Sequence, residues 1–299
     1  MTIEEILKQY ASIINNAPNK FYDAVTEVEI KILNELLNFI MSFDIKDGRL
    51  FSRKENQNIL IQIDKKLETI WNKSGIRDSF KSFLQDYDLA NKLSKKFYRE
   101  TLRSAEQKDI TKIFKQNNSV KAKIVENVSA RILNFDFVSL NAFDELRDDI
   151  YNAIVFNQNL DELTANVRRS LISTEGANSK VLRYVKQISN DALLQHERTV
   201  HANMQSEFEL DGFIFANSLI KTSRQPCRWM VEGSGPLTQY AIRPGVYRWS
   251  DIPAIFKIVK AADEGFNPRT TVETYTIFLN GFGCRHVAMP IRLIEDDLN

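Results

Sequence analysis

Two cysteines and one histidine in the last third of the chain have side chains that bind metals or attack substrates. Cys227 follows Pro226, and Cys284 lies two residues before His286. Residues two apart in a strand lie on one face, so Cys284 and His286 can act together there. Thiolate and imidazole are preferred zinc ligands, and a cysteine beside a histidine base can serve as a nucleophile. The sequence therefore raises two kinds of chemistry here, zinc binding and thiol catalysis.

The surroundings of these three residues argue against both kinds of chemistry. No Cys-x-x-Cys pair is present, and a fourth zinc ligand would have to come from a distant donor such as His201, Asp211 or Glu232. No recognisable segment supplies an oxyanion hole or a third orienting group. Free cysteine is readily buried, so two thiols packed together without a metal are favoured. We predict no catalytic residue and no cofactor, with zinc on the three side chains as the alternative.

The remaining histidines, His196 and His201, do not match the zinc-protease helix. That motif needs histidines four residues apart, whereas a spacing of five turns the two side chains about 140° apart on a helix. We interpret this segment as a polar helix face. Neither a Gly-x-x-x-x-Gly-Lys nor a Gly-x-Gly-x-x-Gly loop occurs, so nothing favours nucleotide binding.

Three arginines accompany the cysteines: Arg224, Arg228 and Arg285. A guanidinium group has five donors and can bind several main-chain carbonyls or a carboxylate. We therefore predict a structural role for these arginines beside the turns that carry Cys227 and Cys284, with Glu232 or Asp251 as candidate acceptors.

Proline and glycine divide the chain near residue 211. One proline and three glycines precede residue 212, whereas six prolines and seven glycines lie from Gly212 onward. Both residues disfavour helix interiors. The sequence therefore predicts an α+β protein, with a large, mostly helical region over 1–211 and a small α+β domain over 212–299.

The first region has apolar residues at three- and four-residue steps, which is typical of helices with one buried face. A clear stripe contains Val28, Ile32 and Leu36. Helices are predicted over about 24–43, 57–72, 77–116, 119–133, 139–156 and 160–172, followed by a long helix over about 179–210.

The second region mixes strand and helix patterns. Strands are predicted over 212–220, 270–279 and 289–294, where β-branched and aromatic residues are frequent. Pro290 is expected at the start of the last strand or on a sheet edge. A short helix is predicted over 250–257, where Ser250 or Asp251 can cap it.

Composition limits the class of protein. The chain has 299 residues, 43% of them hydrophobic, and a formal net charge of +1. No segment approaches the roughly 20 consecutive apolar residues of a membrane span. The acidic residues Glu4 and Glu5 stand where a signal peptide needs lysine or arginine. We expect a protein made in a cytoplasm that does not enter a membrane.

One basic cluster stands out against this neutral balance. Residues 92–123 contain ten lysines and arginines but three acids, which is typical of a solvated helical face. The alternative is an electrostatic contact with nucleic acid or an acidic partner. The ten basic residues are Lys92, Lys95, Lys96, Arg99, Arg103, Lys108, Lys112, Lys115, Lys121 and Lys123.

Several short segments also follow one another in a recognisable order. They are 151–154 with Leu163, 196–199, 210–212, the Ser-Arg turn and cysteine of 223–227, and the Gly-rich Cys-Arg-His run of 281–286, before Pro290. This order resembles the Mu F-like minor head proteins, a phage head morphogenesis family. The residues that carry its signature are Ser223, Arg224, Pro226, Cys227, Gly283, Cys284, Arg285 and His286.

The chain departs from that family at two points. A second cysteine near the first and a His-Pro pair before Cys-Arg are frequent in the family and missing here, which further disfavours a metal. Residues 1–145 match the family only in being helical. Together with the histidine spacing and the missing zinc ligands, the order of these segments favours a structural role in which the thiols, the Ser-Arg turn and the Cys-Arg-His run hold the two ends of one domain together.

The resemblance implies a virion component rather than an enzyme. Its members are minor capsid proteins of tailed bacteriophages, and this chain would then bind the portal protein and other head proteins. It would assist head assembly or genome delivery, in the capsid interior or at the portal vertex, after assembly in the host cytoplasm. The basic cluster would face acidic residues of the portal protein or packaged DNA. Two alternatives stay open: a zinc- or thiol-dependent enzyme or toxin-like effector associated with a phage head, and a helical scaffold or adaptor that contacts no portal.

Overall fold

A computed structural model describes residues 1–50, 54–174, 177–216, 219, 221, 223–262, 270–280 and 284–294. The chain is 73% helical and carries a small C-terminal sheet of four antiparallel strands, which confirms the predicted α+β class. Among the described residues, no helix combines the length and the apolar character that crossing a membrane requires.

The first region consists of helices joined by short turns. Its elements are α1 (Ile3–Ile40), β1 (Ile45–Lys46), β2 (Arg49–Leu50), α2 (Lys54–Ile61), α3 (Ile63–Lys73), α4 (Ile76–Thr101), α5 (Gln107–Leu133), α6 (Phe135–Val138), α7 (Asp144–Val155), α8 (Leu160–Leu171) and α9 (Lys180–Phe208). The stripe of Val28, Ile32 and Leu36 is buried, as its spacing predicts.

Several predicted helix boundaries are wrong. Helix α1 begins at Ile3 rather than near residue 24, and the helix expected over 57–72 is divided into α2 and α3. The run expected over 77–116 is divided between α4 and α5, with a 3-10 turn at Ser104–Glu106. The Glu106 carboxylate accepts from the Arg103 main-chain N–H at 2.7 Å, which stabilises a helix start that the apolar spacing does not reveal. In the other direction, α5 continues without a break through the gap expected near residue 117.

The chain forms two compact units, each discontinuous in sequence. One contains Pro18–Leu84 and Glu126–Ser189. In that unit Phe21 stacks on Phe83 with ring centroids 5.0 Å apart. The Glu29 carboxylate accepts from the Ser173 and Ser179 hydroxyls, and burial raises its pKa.

The other unit contains Met1–Ala17, Gln85–Val125 and Asn190–Asn299. It therefore groups the last part of α9 with everything after it. The sequence-based boundary between 1–211 and 212–299 as independent folding domains stays a prediction.

The sheet of this second unit has the order β4-β5-β3-β6, with every neighbouring pair antiparallel. Its strands are β3 (Gly212–Ala216), β4 (Ala241–Arg243), β5 (Val246–Arg248) and β6 (Val287–Ile291). Strand β3 pairs with β6 from Gly212 opposite Ile291 to Ala216 opposite Val287. Pro290 lies in β6, the edge strand, where a missing N–H costs no ladder hydrogen bond on the open side.

Three short helices accompany the sheet: α10 (Gln225–Glu232), α11 (Ile252–Ala262) and α12 (Tyr275–Phe278). Helix α11 matches the helix predicted over 250–257. The strand predicted over 270–279 is wrong, because a turn and α12 occupy this segment. The Thr271 N–H donates to the Thr274 hydroxyl at 2.8 Å, and such local bonds compete with a strand ladder.

The strand predicted over 212–220 ends at Ala216, and residues 217, 218 and 220 lie outside the described part of the chain. The last strand begins two residues before its predicted start at Met289 and ends at Ile291. The interpretation of 223–227 as a turn misses α10, which starts at Gln225.

Candidate functional site

Helix α10 and the segment before β6 position the two cysteines and the histidine. Cys227 lies in the first turn of α10, where Pro226 occupies an early position and Arg224 precedes the helix in an extended conformation. Proline suits this position because its missing N–H would have no helical partner there. Cys284 and His286 lie directly before β6. Residues far apart in sequence therefore meet at one end of the sheet.

The three side chains form a tight buried cluster, which we call the Cys-Cys-His cluster (Cys227, Cys284 and His286). The two Sγ atoms lie 3.9 Å apart, and the Cys284 Sγ lies 3.7 Å from the His286 Nδ1. One ligand atom from each residue lies within 4.8 Å of the others. The exposed fractions are 3%, 6% and 4% respectively, so the cluster has almost no access to solvent.

A layer of neighbouring side chains holds the cluster. The Asn280 Nδ2 donates to the Cys227 Sγ at 3.4 Å, and its Oδ1 accepts from the Tyr275 hydroxyl at 2.9 Å. The His286 ring stacks on Phe215 of β3 with centroids 4.7 Å apart and an interplanar angle of 17°. These contacts fix the orientation of both the first thiol and the imidazole.

Arg198 of α9 binds the main chain on either side of the cluster. Its Nε and Nη2 donate to the His286 carbonyl at 3.0 and 2.8 Å, and its Nη1 donates to the Ile277 carbonyl at 3.2 Å. The Nη2 also donates to the Cys284 carbonyl. The side chain is buried, and a planar guanidinium with five donors is suited to gather carbonyls in this way. Sequence reasoning did not single out Arg198 by itself, although it lies in the 196–199 segment of the family resemblance.

The three arginines singled out from the sequence also contact main-chain carbonyls. Arg224 donates to Asn280 and Arg285 donates to Asn15, the latter at 3.0 Å. Arg228 donates to the carbonyls of Ser223 and Lys221 at 3.1 and 3.2 Å. These contacts are the carbonyl bonds expected of structural arginines.

The two thiols differ in acidity. The pKa of the Cys284 thiol is lowered well below its usual range, because the Cys227 thiol and then the His286 ring can donate to its sulfur. The pKa of the Cys227 thiol is raised because it donates to Cys284 and is buried. Cys284 is therefore the sulfur that more readily carries negative charge.

Most of the predicted signature residues lie in the described part of the chain, whereas Gly283 lies outside it. Among the described residues, none of the three proposed fourth ligands joins the Cys-Cys-His cluster. His201 instead contacts the Tyr98 and Tyr10 hydroxyls at 2.5 and 3.5 Å. Sequence reasoning also missed Asn280, Tyr275 and Phe215, whose residue types and positions carry no motif.

The interpretation of 196–201 as a polar helix face is wrong. His196, Glu197 and His201 are buried. The Glu197 carboxylate accepts from the Asn91 side chain at 3.1 Å, and burial raises its pKa to about 7. Burial lowers the pKa of His201 to about 3. The segment therefore places uncharged imidazole rings in the protein interior, together with a carboxyl group that ionises less readily than it would in water.

The basic cluster lies on α4, on α5 and on the turn between them. Seven of its ten side chains are exposed, whereas Lys95, Lys96 and Lys121 are half-buried. Lys121 is paired with Asp88 at 2.7 Å. Phe97, Tyr98 and Phe114 are buried, so these aromatic rings serve the core rather than a stacking surface.

Three comparisons with known proteins return nothing: no protein-family model, curated protein or solved structure matches this chain.

Proposed function

We propose that this protein is a minor head protein of a tailed bacteriophage that binds the portal and assists head assembly or genome delivery. One observation carries the proposal: three segments of the family resemblance, 196–199, 223–227 and 284–286, meet around the Cys-Cys-His cluster. Arg198, from segment 196–199, donates to carbonyls of 284–286, and Cys227, from segment 223–227, lies against Cys284. Segments that match a family order and also touch one another behave as parts of one structural unit.

The character of this unit suits a structural role in a virion. Its thiols are buried and its arginines bind main-chain carbonyls, which favours resistance to distortion over turnover of a substrate. The exposed part of the basic cluster offers positive charge to an acidic portal surface or to packaged DNA. The protein would act at the portal vertex or in the capsid interior, after assembly in the host cytoplasm.

Two measurements test this function. The full chain and the portal protein encoded by the same genome are produced together, and the portal is captured through its own affinity tag. We expect this protein to be retained at moderate salt and to be found by mass spectrometry in purified particles. Its absence from particles, together with no retention on the portal, would overturn the proposal.

The second candidate is a zinc- or thiol-dependent enzyme or effector carried by a phage head. The 3.7 Å separation of the Cys284 Sγ and the His286 Nδ1 favours it, because a nucleophile and its base lie at comparable distances. The burial of both side chains opposes it, since a substrate carbonyl must reach the sulfur. The structural function is therefore the one proposed.

A further inference from the structure

We propose that the Cys-Cys-His cluster binds a zinc ion through the Sγ atoms of Cys227 and Cys284 and the Nδ1 of His286. This differs from the metal-free packing of thiols that the sequence favours. It concerns the chemistry of the cluster and does not depend on the proposed role in a virion.

The distances within the cluster fit zinc ligation. Zinc binds thiolate sulfur at about 2.3 Å and imidazole nitrogen at about 2.0–2.1 Å, usually in a tetrahedron. Tetrahedral angles then separate two sulfurs by about 3.8 Å, and a sulfur and a nitrogen by about 3.6 Å. The corresponding distances here are 3.9 Å between the sulfurs and 3.7 Å between the Cys284 Sγ and the His286 Nδ1. Two of the three donor separations therefore match zinc ligation, and the third, between the Cys227 Sγ and a His286 ring nitrogen, is at most 4.8 Å.

The Nδ1 atom of His286 points to the same ligand. It faces the Cys284 sulfur at 3.7 Å. A long contact to sulfur compensates poorly for the hydrogen bonds to water that a buried imidazole loses. Coordination of Nδ1 to zinc would replace that contact with a strong bond.

The surrounding layer resembles the outer shell of a metal site. Outer-shell hydrogen bonds orient ligands and tune their basicity. Here the Asn280 amide donates to one sulfur, Phe215 stacks on the imidazole, and Arg198 fixes the main chain of both Cys284 and His286. Three protein ligands leave a fourth position for water or another small ligand.

Zinc analysis of the full chain is the first test. The protein is produced without a histidine tag in zinc-supplemented medium, and bound zinc is measured by elemental mass spectrometry. We expect about one zinc ion per chain, since the described residues contain one such cluster. Replacement by Co²⁺ should give thiolate-to-cobalt charge-transfer absorption. Zinc at background level, with both thiols free or joined in a disulfide, would overturn the proposal.

Variants locate the ion. Cys284→Ser and His286→Gln should each reduce bound zinc to background, whereas His196→Gln, a buried histidine outside the cluster, should keep it. Retention of full zinc by the two cluster variants would contradict the assignment.

A measurement on the wild-type chain covers the case in which the cluster variants fail to fold. Removal of zinc by a chelator should lower the melting temperature, and added zinc should restore it, because a ligand that binds only the folded state stabilises it. A melting temperature that responds to neither treatment would count against the site.

Discussion

Substitution of Glu197 by glutamine should remove a specific part of the pH dependence of stability. The Glu197 carboxyl is fully buried, and its pKa rises from 4.5 to about 7, mainly through burial. The Asn91 hydrogen bond and Lys121 oppose this rise, and Asp88 adds to it. In the unfolded chain the same carboxyl titrates near its ordinary value.

The sign follows from which state holds the proton. Below about pH 4.5 both states carry it, so Glu197 contributes no pH dependence there. Between about pH 4.5 and about pH 7 the unfolded chain loses the proton first, and the folded state therefore loses stability as pH rises. Since one pKa unit corresponds to about 1.4 kcal/mol, the total loss is about 3 kcal/mol.

The assay is urea unfolding of wild-type protein and Glu197→Gln at a series of pH values, followed by circular dichroism. The difference in free energy of unfolding between variant and wild type should shift by about 3 kcal/mol in favour of the variant from acid to neutral pH. Using the difference cancels groups common to both proteins, including His201. Glu207→Gln is the matched control, because Glu207 lies on the same helix and is exposed.

A difference that stays level across this pH range would refute the reasoning. It would mean that Glu197 titrates alike in the folded and unfolded chains, and hence that solvent reaches the carboxyl. A constant offset alone would not count as support, because glutamine brings an extra N–H that lowers stability equally at every pH.

Three further predictions concern other parts of the second unit. Arg198→Lys loses the planar guanidinium group that donates to three carbonyls. The free energy of unfolding should therefore fall by about 2–4 kcal/mol in urea titrations, and an unchanged unfolding midpoint would contradict the role given to Arg198. Gly235→Ala should lower the melting temperature more than Gly48→Ala. Both glycines have positive φ, but a Cβ at Gly235 would lie 2.6 Å from Trp229, whereas one at Gly48 meets nothing within 4 Å. An equal decrease in melting temperature for the two variants would show that backbone strain alone, and not the contact with Trp229, causes the destabilisation. Charge reversal of three exposed cluster lysines should weaken binding to double-stranded DNA and flatten its salt dependence in fluorescence anisotropy, and identical curves would exclude DNA as the contact. The three lysines are Lys108, Lys112 and Lys115.

Sequence patterns predict the helical parts of this fold, where apolar residues recur at a regular spacing. Apolar spacing locates the helical first region and the long helix over about 179–210, which the structure places at Lys180–Phe208. The pattern is strong there because burial of one helix face requires an apolar residue every third or fourth position. The rise of proline and glycine after residue 211 likewise indicates a change in character, which the sheet confirms.

Local patterns mislead where tertiary contacts decide the conformation. Val272 and Tyr275 favour a strand, yet threonine hydroxyls close a turn there and Tyr275 is buried in the core of the second unit. The start of α10 at Gln225 does have a signal in the sequence, namely proline at an early helical position, although the same residues also favour a turn.

The candidate site is partly predictable. The residue types Cys227, Cys284 and His286 identify it, and the expected packing of the two thiols agrees with their 3.9 Å separation. Spacing along the chain cannot reveal Arg198 or Asn280, because their importance comes from partners about 50 to 90 residues away. The sequence cannot predict the burial of His196 and His201 for the same reason. Helical geometry gives the angle between the two side chains on α9, but it does not show which residues pack against them.

The bond between Arg198 and the main chain of Cys284 and His286 also sets an order of events during synthesis. When α9 has emerged from the ribosome, Arg198 has none of these carbonyl partners until Ile277, and then Cys284 and His286, have been added. The Asn15 carbonyl, made far earlier, likewise waits for Arg285. Contacts of such long sequence separation form late and slowly. The second unit therefore completes its fold only after translation of β6, and a nascent chain stalled before Cys284 would leave the Arg198 guanidinium without its carbonyl partners at Cys284 and His286.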